Sequence, residues 1–287
     1  MANNILIGPH ISMRETLYTT IANNPYYVGQ IYIAGRNITK QDKEATIIHC
    51  QDTGQRIYIH THLYNNLAKN DARNSIRNVK HDLAIIKGLP GACVLHVGKA
   101  CDQTPKGKKP TCLQHDEALT NIIHRLEELQ PYYTLDDQPL LLLENAAGQG
   151  TELGTTWDDF RKIAEAVGTH GLGICLDTQH AFASGLSDFA TYESANRLID
   201  DALATGFSLD LIHLNDSKVP FNARVDRHES IGQGYIWKDS IESLQELILR
   251  CAEEGRSIVT ETPTEVEDVE YILSRFTAPE VEENGEI

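Results

Sequence analysis

The 287-residue chain has no apolar run approaching the roughly 18 residues that a membrane-spanning helix needs, so no membrane partner is expected. Its opening residues, MANNILIGPH, lack a basic segment ahead of a long apolar one, and no signal peptide is expected. The six cysteines (Cys50, Cys93, Cys101, Cys112, Cys175 and Cys251) include no CxxC pair. Reduced, mostly buried thiols of an intracellular protein are the expectation. A bridge between Cys101 and Cys112, which flank the basic stretch DQTPKGKKPT, is left open. No glycine-rich phosphate loop follows the first strand candidate, where the chain reads GPHISMRE, so a doubly wound dinucleotide fold is disfavoured. Basic excess is also missing. The net charge of −16 argues against a protein coated in nucleic acid and confines any such contact to a local basic patch. Part of that charge sits in the tail PEVEENGEI, with Glu280, Glu282, Glu283 and Glu286, and bound divalent cations would offset more.

With 41% hydrophobic and 23% charged residues, the chain reads as a soluble globular protein. Eight short segments rich in Ile, Val and Leu read as strands: 5–12, 27–33, 56–62, 92–98, 140–146, 172–178, 209–216 and 257–263. Helical spacing separates them, as in 115–130, in 157–168 after a capping Thr155–Thr156, and in 237–254 before Gly255. This alternation, at this length, predicts an α/β fold, a single (β/α)8 TIM barrel over residues 1–277 with an acidic tail at 278–287.

Several strand ends carry metal-ligand residue types. Residues two apart on a strand share a face. Stepping back two from His60, His96, Glu144, Asp177, His213 and Glu261 meets Tyr58, Val94, Leu142, Cys175, Leu211 and Val259. Each polar residue therefore stands one inward layer above a mostly apolar one, at the carboxyl end of its strand, where barrel active sites lie. Cys175 would lie roughly 6–7 Å below that layer and is read as core. His180 follows Asp177 at Asp-x-x-His spacing, and Asp226 and His228 share a face if their segment is extended. Nine imidazole and carboxylate candidates, without thiolate, suit two or three ions such as zinc, manganese or iron better than one tetrahedral ion. Paired ions can stabilise both oxygens of an in-line phosphoryl displacement.

Each residue alone has an ordinary explanation. Asp177 can cap the next helix, and a lone strand-end histidine is commonly just hydrogen-bonded. His62 rivals His60, His10 could support a ligand from behind, and the remaining histidines (His49, His81, His115, His124 and His170) are read as surface or core. Lys218, Arg224 and Arg227 flank Asp226 and are candidate phosphate contacts rather than surface ion pairs; Lys106, Lys108 and Lys109 are weaker candidates.

The stretches LLLENAAGQGTELG (141–154), GICLDTQHAFASG (173–185), HLNDSKVPFNARVDRHESIGQG (213–234) and ETP (261–263) resemble the endonuclease IV family of apurinic/apyrimidinic endonucleases. IGPHIS (7–12), HTHLYNNLA (60–68) and LHVGK (95–99) resemble it more weakly. The resemblance implies three zinc ions: one on His60, His96 and Glu144, a second sharing Glu144 with Asp177, His213 and Glu261, and a third on His180, Asp226 and His228. It implies hydrolysis of double-stranded DNA on the 5′ side of an abasic site, leaving a 3′-hydroxyl, and trimming of blocked 3′ ends. Glu261 and Glu144 are its expected catalytic carboxylates, and a monomer working wherever its DNA resides is implied. Extrusion of a nucleotide without a base costs less than that of an intact one. The sequence departs from the family at Leu63, where an aromatic residue is usual, at His96-Val97-Gly98, where His-Pro-Gly is common, and in 34–43, which keeps Arg36 and Lys40 but little else. A sugar isomerase or epimerase with a single divalent ion on a related barrel is the alternative, and a non-catalytic lesion binder is a third. Fold alone does not separate them.

Overall fold

The computed structural model describes residues 5–13, 15–33, 35–101, 111–134 and 140–276. In chain order its elements are β1 (Ile7–Ile11), α1 (Leu17–Ala22), β2 (Val28–Tyr32), α2 (Lys40–Thr53), β3 (Arg56–His60), α3 (Arg73–Ile86), β4 (Gly91–His96), α4 (His115–Tyr133), β5 (Leu140–Glu144), α5 (Trp157–Val167), β6 (Leu172–Asp177), α6 (Thr178–Ser184), α7 (Tyr192–Leu203), β7 (Ser208–His213), β8 (Asp216–Ser217), β9 (His228–Glu229), α8 (Ile241–Glu253), β10 (Ser257–Thr260) and α9 (Glu265–Phe276). Eight parallel strands close a barrel in the order β1-β10-β7-β6-β5-β4-β3-β2, as expected for a TIM barrel. The pair β8 and β9 is antiparallel and belongs to the loop after β7.

The barrel interior is filled by Val28, Tyr58, Ala92, Val94, Leu142, Cys175, Leu211 and Val259, one small buried cluster drawn from seven strands. All six residues reached by stepping back two from the polar strand ends belong to it. The opposite face of each strand packs against the helices in a larger cluster that includes Ile57, Ile59, Leu143, Ile174 and Ile212. Burial on both faces explains why the strands read as continuous apolar runs. Between β6 and β7 the register shifts, so that Ile174 pairs with Leu209 and Cys175 with Leu211. Asp210 is the extra residue, and beyond this bulge Asp177 and His213 come level at the top of the barrel.

Several expected boundaries move. The strands end one to three residues earlier than the apolar pattern suggested, because their polar ends turn outward into the loops that build the site. Helix α4 runs on past residue 130 through Pro131, whose missing N–H falls in the last turn. Thr156 occupies the capping position of α5 without a capping hydrogen bond from its side chain. Asp159 in its first turn ties the helix back to the preceding loop, accepting from the Gly154 N–H at 3.0 Å. Helix α8 begins at Ile241 rather than 237, because Trp237 is drawn into the core and donates its indole N–H to the Asn215 carbonyl at 3.0 Å.

Cys50, Cys93, Cys175 and Cys251 are free and buried, as expected, and Cys101 and Cys112, whose pairing the sequence left open, form a disulfide. The reason is local: the two residues face each other across an isolated antiparallel bridge after β4. No helix among the described residues is long and apolar enough to cross a membrane. The expected acidic tail 278–287 and the basic residues Lys106, Lys108 and Lys109 lie outside the described residues.

Candidate metal centre

Each barrel strand brings one inward polar side chain to the same end of the barrel: His10, Gln30, His60, His96, Glu144, Asp177, His213 and, just past β10, Glu261. These side chains converge. Glu144 Oε2 lies 3.3 Å from His60 Nε2 and 3.0 Å from His96 Nε2. Its other oxygen, Oε1, lies 3.1 Å from His213 Nδ1, which is also 3.0 Å from Glu261 Oε2 and 3.9 Å from Asp177 Oδ2. Glu144 is thus the hinge between two clusters of donor atoms. One is His60, His96 and Glu144; the other is Glu144, Asp177, His213 and Glu261. Within each, one ligand atom per residue lies within 4.8 Å of the others.

A third cluster meets the same criterion, formed by Asp177, His180 and His228. His180 arrives on α6, which begins directly after β6. Asp177 is the N-cap of that helix, its Oδ1 accepting from the His180 N–H at 2.7 Å, while Oδ2 stays directed at the cluster, 3.8 Å from His228 Nε2. The capping role and the site role are therefore both filled. Asp226 and His228 come from the β7 loop and do face one way, as extended backbone predicts. Asp226 Oδ1 lies 3.5 Å from His180 Nε2 and 3.3 Å from His228 Nε2. This loop is fastened by Asp216, whose buried carboxylate accepts from Gly232 N at 2.9 Å, Gly234 N at 3.0 Å and Ile236 N at 2.8 Å. A Cβ on Gly234 would stand 2.5 Å from Asp216 Oδ1, so only glycine lets the loop close this tightly.

The ring nitrogens facing away from the centre are also occupied. His60 Nδ1 meets the Thr61 carbonyl at 2.9 Å, His180 Nδ1 the Asn145 carbonyl at 2.9 Å, and His228 Nδ1 the Glu261 carbonyl at 2.9 Å. An N–H donated outward fixes the tautomer and leaves Nε2 with a lone pair toward the site, the usual support of a metal-binding imidazole. His228 Nε2 is buried with no hydrogen-bond partner, the orphan expected of a ligand atom whose partner is a cation. Burial pushes the Glu144 and Glu261 carboxyls up, but the surrounding imidazoles outweigh it and hold both well below the usual carboxylate range. Asp226 is likewise lowered, by His180 and His228 against its burial. Conversely, burial would lower His96, His180 and His213, but carboxylates raise the first two, and Cys175 with Glu261 and Glu144 raises His213. Buried carboxylates this crowded call for positive charge, and divalent cations fit the donor set of imidazole and carboxylate.

Above the clusters is a cavity of about 320 Å³ whose wall includes His10, Tyr32, Leu63 and Asp226. Cys175 takes no part in any cluster; burial pushes its thiol up to about 12, consistent with core. His62 lies beyond the end of β3, against Tyr32 and Tyr64, and does not replace His60. Arg224 and Arg227 are exposed, and Arg227 donates to the Asp226 carbonyl at 2.6 Å. Lys218 is 3.6 Å from Glu229, the surface ion pair that had been the competing reading.

The sequence reading passed over three buried amides. Asn145 Oδ1 accepts from the Asp177 N–H at 2.7 Å, and Asn215 Nδ2 donates to Asp177 Oδ2 at 2.6 Å. Gln30 touches His213, Glu261 and His10. The alternation test would have found Gln30, since it stands two residues after the inward Val28, and the two asparagines follow candidate ligands within one or two positions.

A profile of the xylose isomerase-like TIM-barrel family matches residues 23–274. Among curated proteins, "Probable endonuclease 4" of Aquifex aeolicus is 32% identical over 73% of this chain and 72% of that protein. The protein of the same name from Streptomyces coelicolor is 37% identical over 66% of this chain and 61% of its own length. Among solved structures, endonuclease IV from Thermus thermophilus superposes with a TM-score of 0.74 at 22% identity, over 94% of this chain and 97% of that one. A D-tagatose 3-epimerase-like protein superposes with a TM-score of 0.66 at 19% identity, over 96% and 97%. At these identities the structures show a shared fold.

Proposed function

Since the chain belongs to the xylose isomerase-like TIM-barrel family and, within it, to the endonuclease 4 group, we propose that it is a metal-dependent DNA-repair endonuclease. Its reaction on this reading is hydrolysis of the phosphodiester 5′ to an abasic site in double-stranded DNA, leaving a 3′-hydroxyl, with trimming of blocked 3′ ends. The observation that carries it is the three overlapping donor clusters built around Glu144 and Asp177. His60, His96 and Glu144 would hold one zinc ion, Glu144, Asp177, His213 and Glu261 a second, and His180, Asp226 and His228 a third. Asp177 also reaches the third cluster and can bridge there as Glu144 does between the first two.

Divalent ions bound there would supply Lewis acidity toward the phosphoryl oxygens and lower the pKa of an attacking water. The chain's own groups do the rest. Glu144 sits between imidazoles on both sides and would keep the two ions it joins at a fixed spacing. Glu261 stands at the cavity wall with its carboxyl held ionised, placed to orient the attacking water as an acceptor. Tyr32 and Leu63 narrow the cavity and exclude solvent around an extruded sugar. Arg224 and Arg227, exposed on the same loop as Asp226, would take backbone phosphates, with Lys218 available once it leaves Glu229. A monomer suffices, because every proposed ligand comes from one barrel.

The test is incision of a synthetic abasic duplex before and after exhaustive chelation. Cleavage 5′ to the lesion that disappears with the metal and returns with zinc is expected. The single-ion epimerase reading, whose fold neighbours superpose less well, predicts about one ion per active chain and an intact duplex. Its weakness is that a one-ion site leaves His180, Asp226 and His228 without work.

A further inference from the structure

Three of the site's histidines rest their outward nitrogen on a backbone carbonyl, which the fold supplies whatever the side chains are. His213 does not. Its Nε2 lies 2.8 Å from Gln30 Oε1, on β2, which contributes no candidate ligand. Gln30 is completely buried, and its amide nitrogen lies 2.6 Å from Glu261 Oε1 and 3.1 Å from His10 Nδ1. We propose that Gln30 is a positioning residue that dictates through which nitrogen His213 binds metal and aims Glu261 at the same ion.

The hydrogen-bond inventory allows one self-consistent arrangement. A glutamine side chain has one acceptor oxygen and two N–H donors. With Oε1 toward His213, that ring must present its proton on Nε2. With Nε2 keeping its proton, Nδ1, which faces Glu144 and Glu261, would be the atom that gives up its proton and ligates when a cation binds. The amide nitrogen then donates to the Glu261 carboxylate at 2.6 Å, and His10 Nδ1, 3.1 Å from both Gln30 Nε2 and Glu261 Oε1, lies against the same carboxylate. The reversed amide would put N–H against N–H at His213, or force the His213 proton onto Nδ1 and abolish its lone pair. Gln30 therefore selects between ligation and no ligation at His213, and it restrains one oxygen of Glu261 so that Oε2 faces the ion. Neighbouring registers support this placement: Gln30 is level with His10 on β1 and stands two residues beyond Val28 of the apolar plug on its own strand. An outer partner of this type commonly sets metal affinity by about 10–100-fold.

This role rests on the reading of the site as a metal centre, and the experiment separates the two. The full-length metal-free protein is titrated with zinc against a chromophoric chelator, as wild type and as Gln30→Met, which keeps length and removes both donor and acceptor. Wild type is expected to take up about three ions. Gln30→Met is expected to hold one of them about 10–100-fold more weakly, with the other two and the circular dichroism of the metal-free chain unchanged. A wild type that binds no zinc overturns the metal centre itself. A Gln30→Met chain with wild-type zinc affinities overturns the role of Gln30 alone. Should that variant fail to fold, long-range proton–nitrogen spectra of zinc-loaded wild type decide. Metal on Nδ1 and a proton on Nε2 of His213 are expected, and ligation through Nε2 overturns the proposal.

Discussion

At the residue scale the centre is a balance of charges that no single side chain could sustain. Glu144 is a buried carboxylate and Glu261 a half-buried one, both kept ionised by imidazoles, and the imidazoles are in turn held toward protonation by these carboxylates, with Cys175 adding to it at His213, as long as no cation competes. The two groups have opposite signs in pH. Carboxyls lowered in the folded state contribute stability that is full above their unfolded value of about 4.3 and is lost as pH falls through the folded value. Histidines raised in the folded state contribute stability that is full below about 6.5 and is lost as pH rises through the folded value. Metal-free protein is therefore expected to be most stable between about pH 4.5 and 6.5, and urea melts across pH 4–9 after chelation check it. Zinc should reverse the alkaline side, since ligation needs neutral imidazole. Glu261→Gln keeps size and hydrogen bonding but loses the charge. Incision is expected to fall by about 100-fold or more with binding of abasic duplex largely retained, measured as single-turnover rate against gel-shift affinity. Full activity would remove Glu261 from its assigned role.

At the element scale, the barrel strands deliver only part of the site, and the β7 loop delivers Asp226 and His228. Their placement depends on the short β8–β9 pairing and on the Asp216 carboxylate, which collects N–H groups from the far side of the loop. Asp216→Ala leaves these buried donors unpaired. A loss of about 3 kcal/mol or more is expected, together with loss of the metal held by His180, Asp226 and His228 but not of the ion on His60 and His96. Denaturant melts and metal analysis on the same preparation test it; equal loss of every ion would mean that the loop is not a separate unit. The strands themselves were legible because each alternates an apolar residue with a polar one at the top, as in Val94–His96 and Leu142–Glu144. Helix starts were less so: at α8 the aromatic Trp237 left the helical pattern for the core, and that choice depends on a cavity made by other elements.

At the scale of the whole molecule, a chain of net charge −16 must approach a polyanion. Bound cations would offset the site carboxylates, and exposed Arg224 and Arg227, on the β7 loop that carries Asp226, offer local positive charge. Arg227→Ala is expected to weaken duplex binding for damaged and undamaged DNA alike and to reduce the salt slope by about 1. Fluorescence anisotropy across a potassium chloride series measures both, and superimposable slopes would place Arg227 away from the phosphates. The disulfide between Cys101 and Cys112 also belongs to this scale, since spacing along the chain did not indicate it and only the antiparallel bridge after β4 brings the two together.

The order of apolar and polar residues along the chain was enough to determine the parallel barrel, its interior plug and the end at which the nine ligand candidates gather, because inward alternation and strand–helix length are local properties. Partnership was decided only in three dimensions. That Glu144 joins two clusters, that Asp177 both caps α6 and faces His228, and that Gln30 holds His213 follow from closing eight strands into a ring. Closure sets distances between residues 183 positions apart for Gln30 and His213 and 251 apart for His10 and Glu261, and no local pattern carries that information.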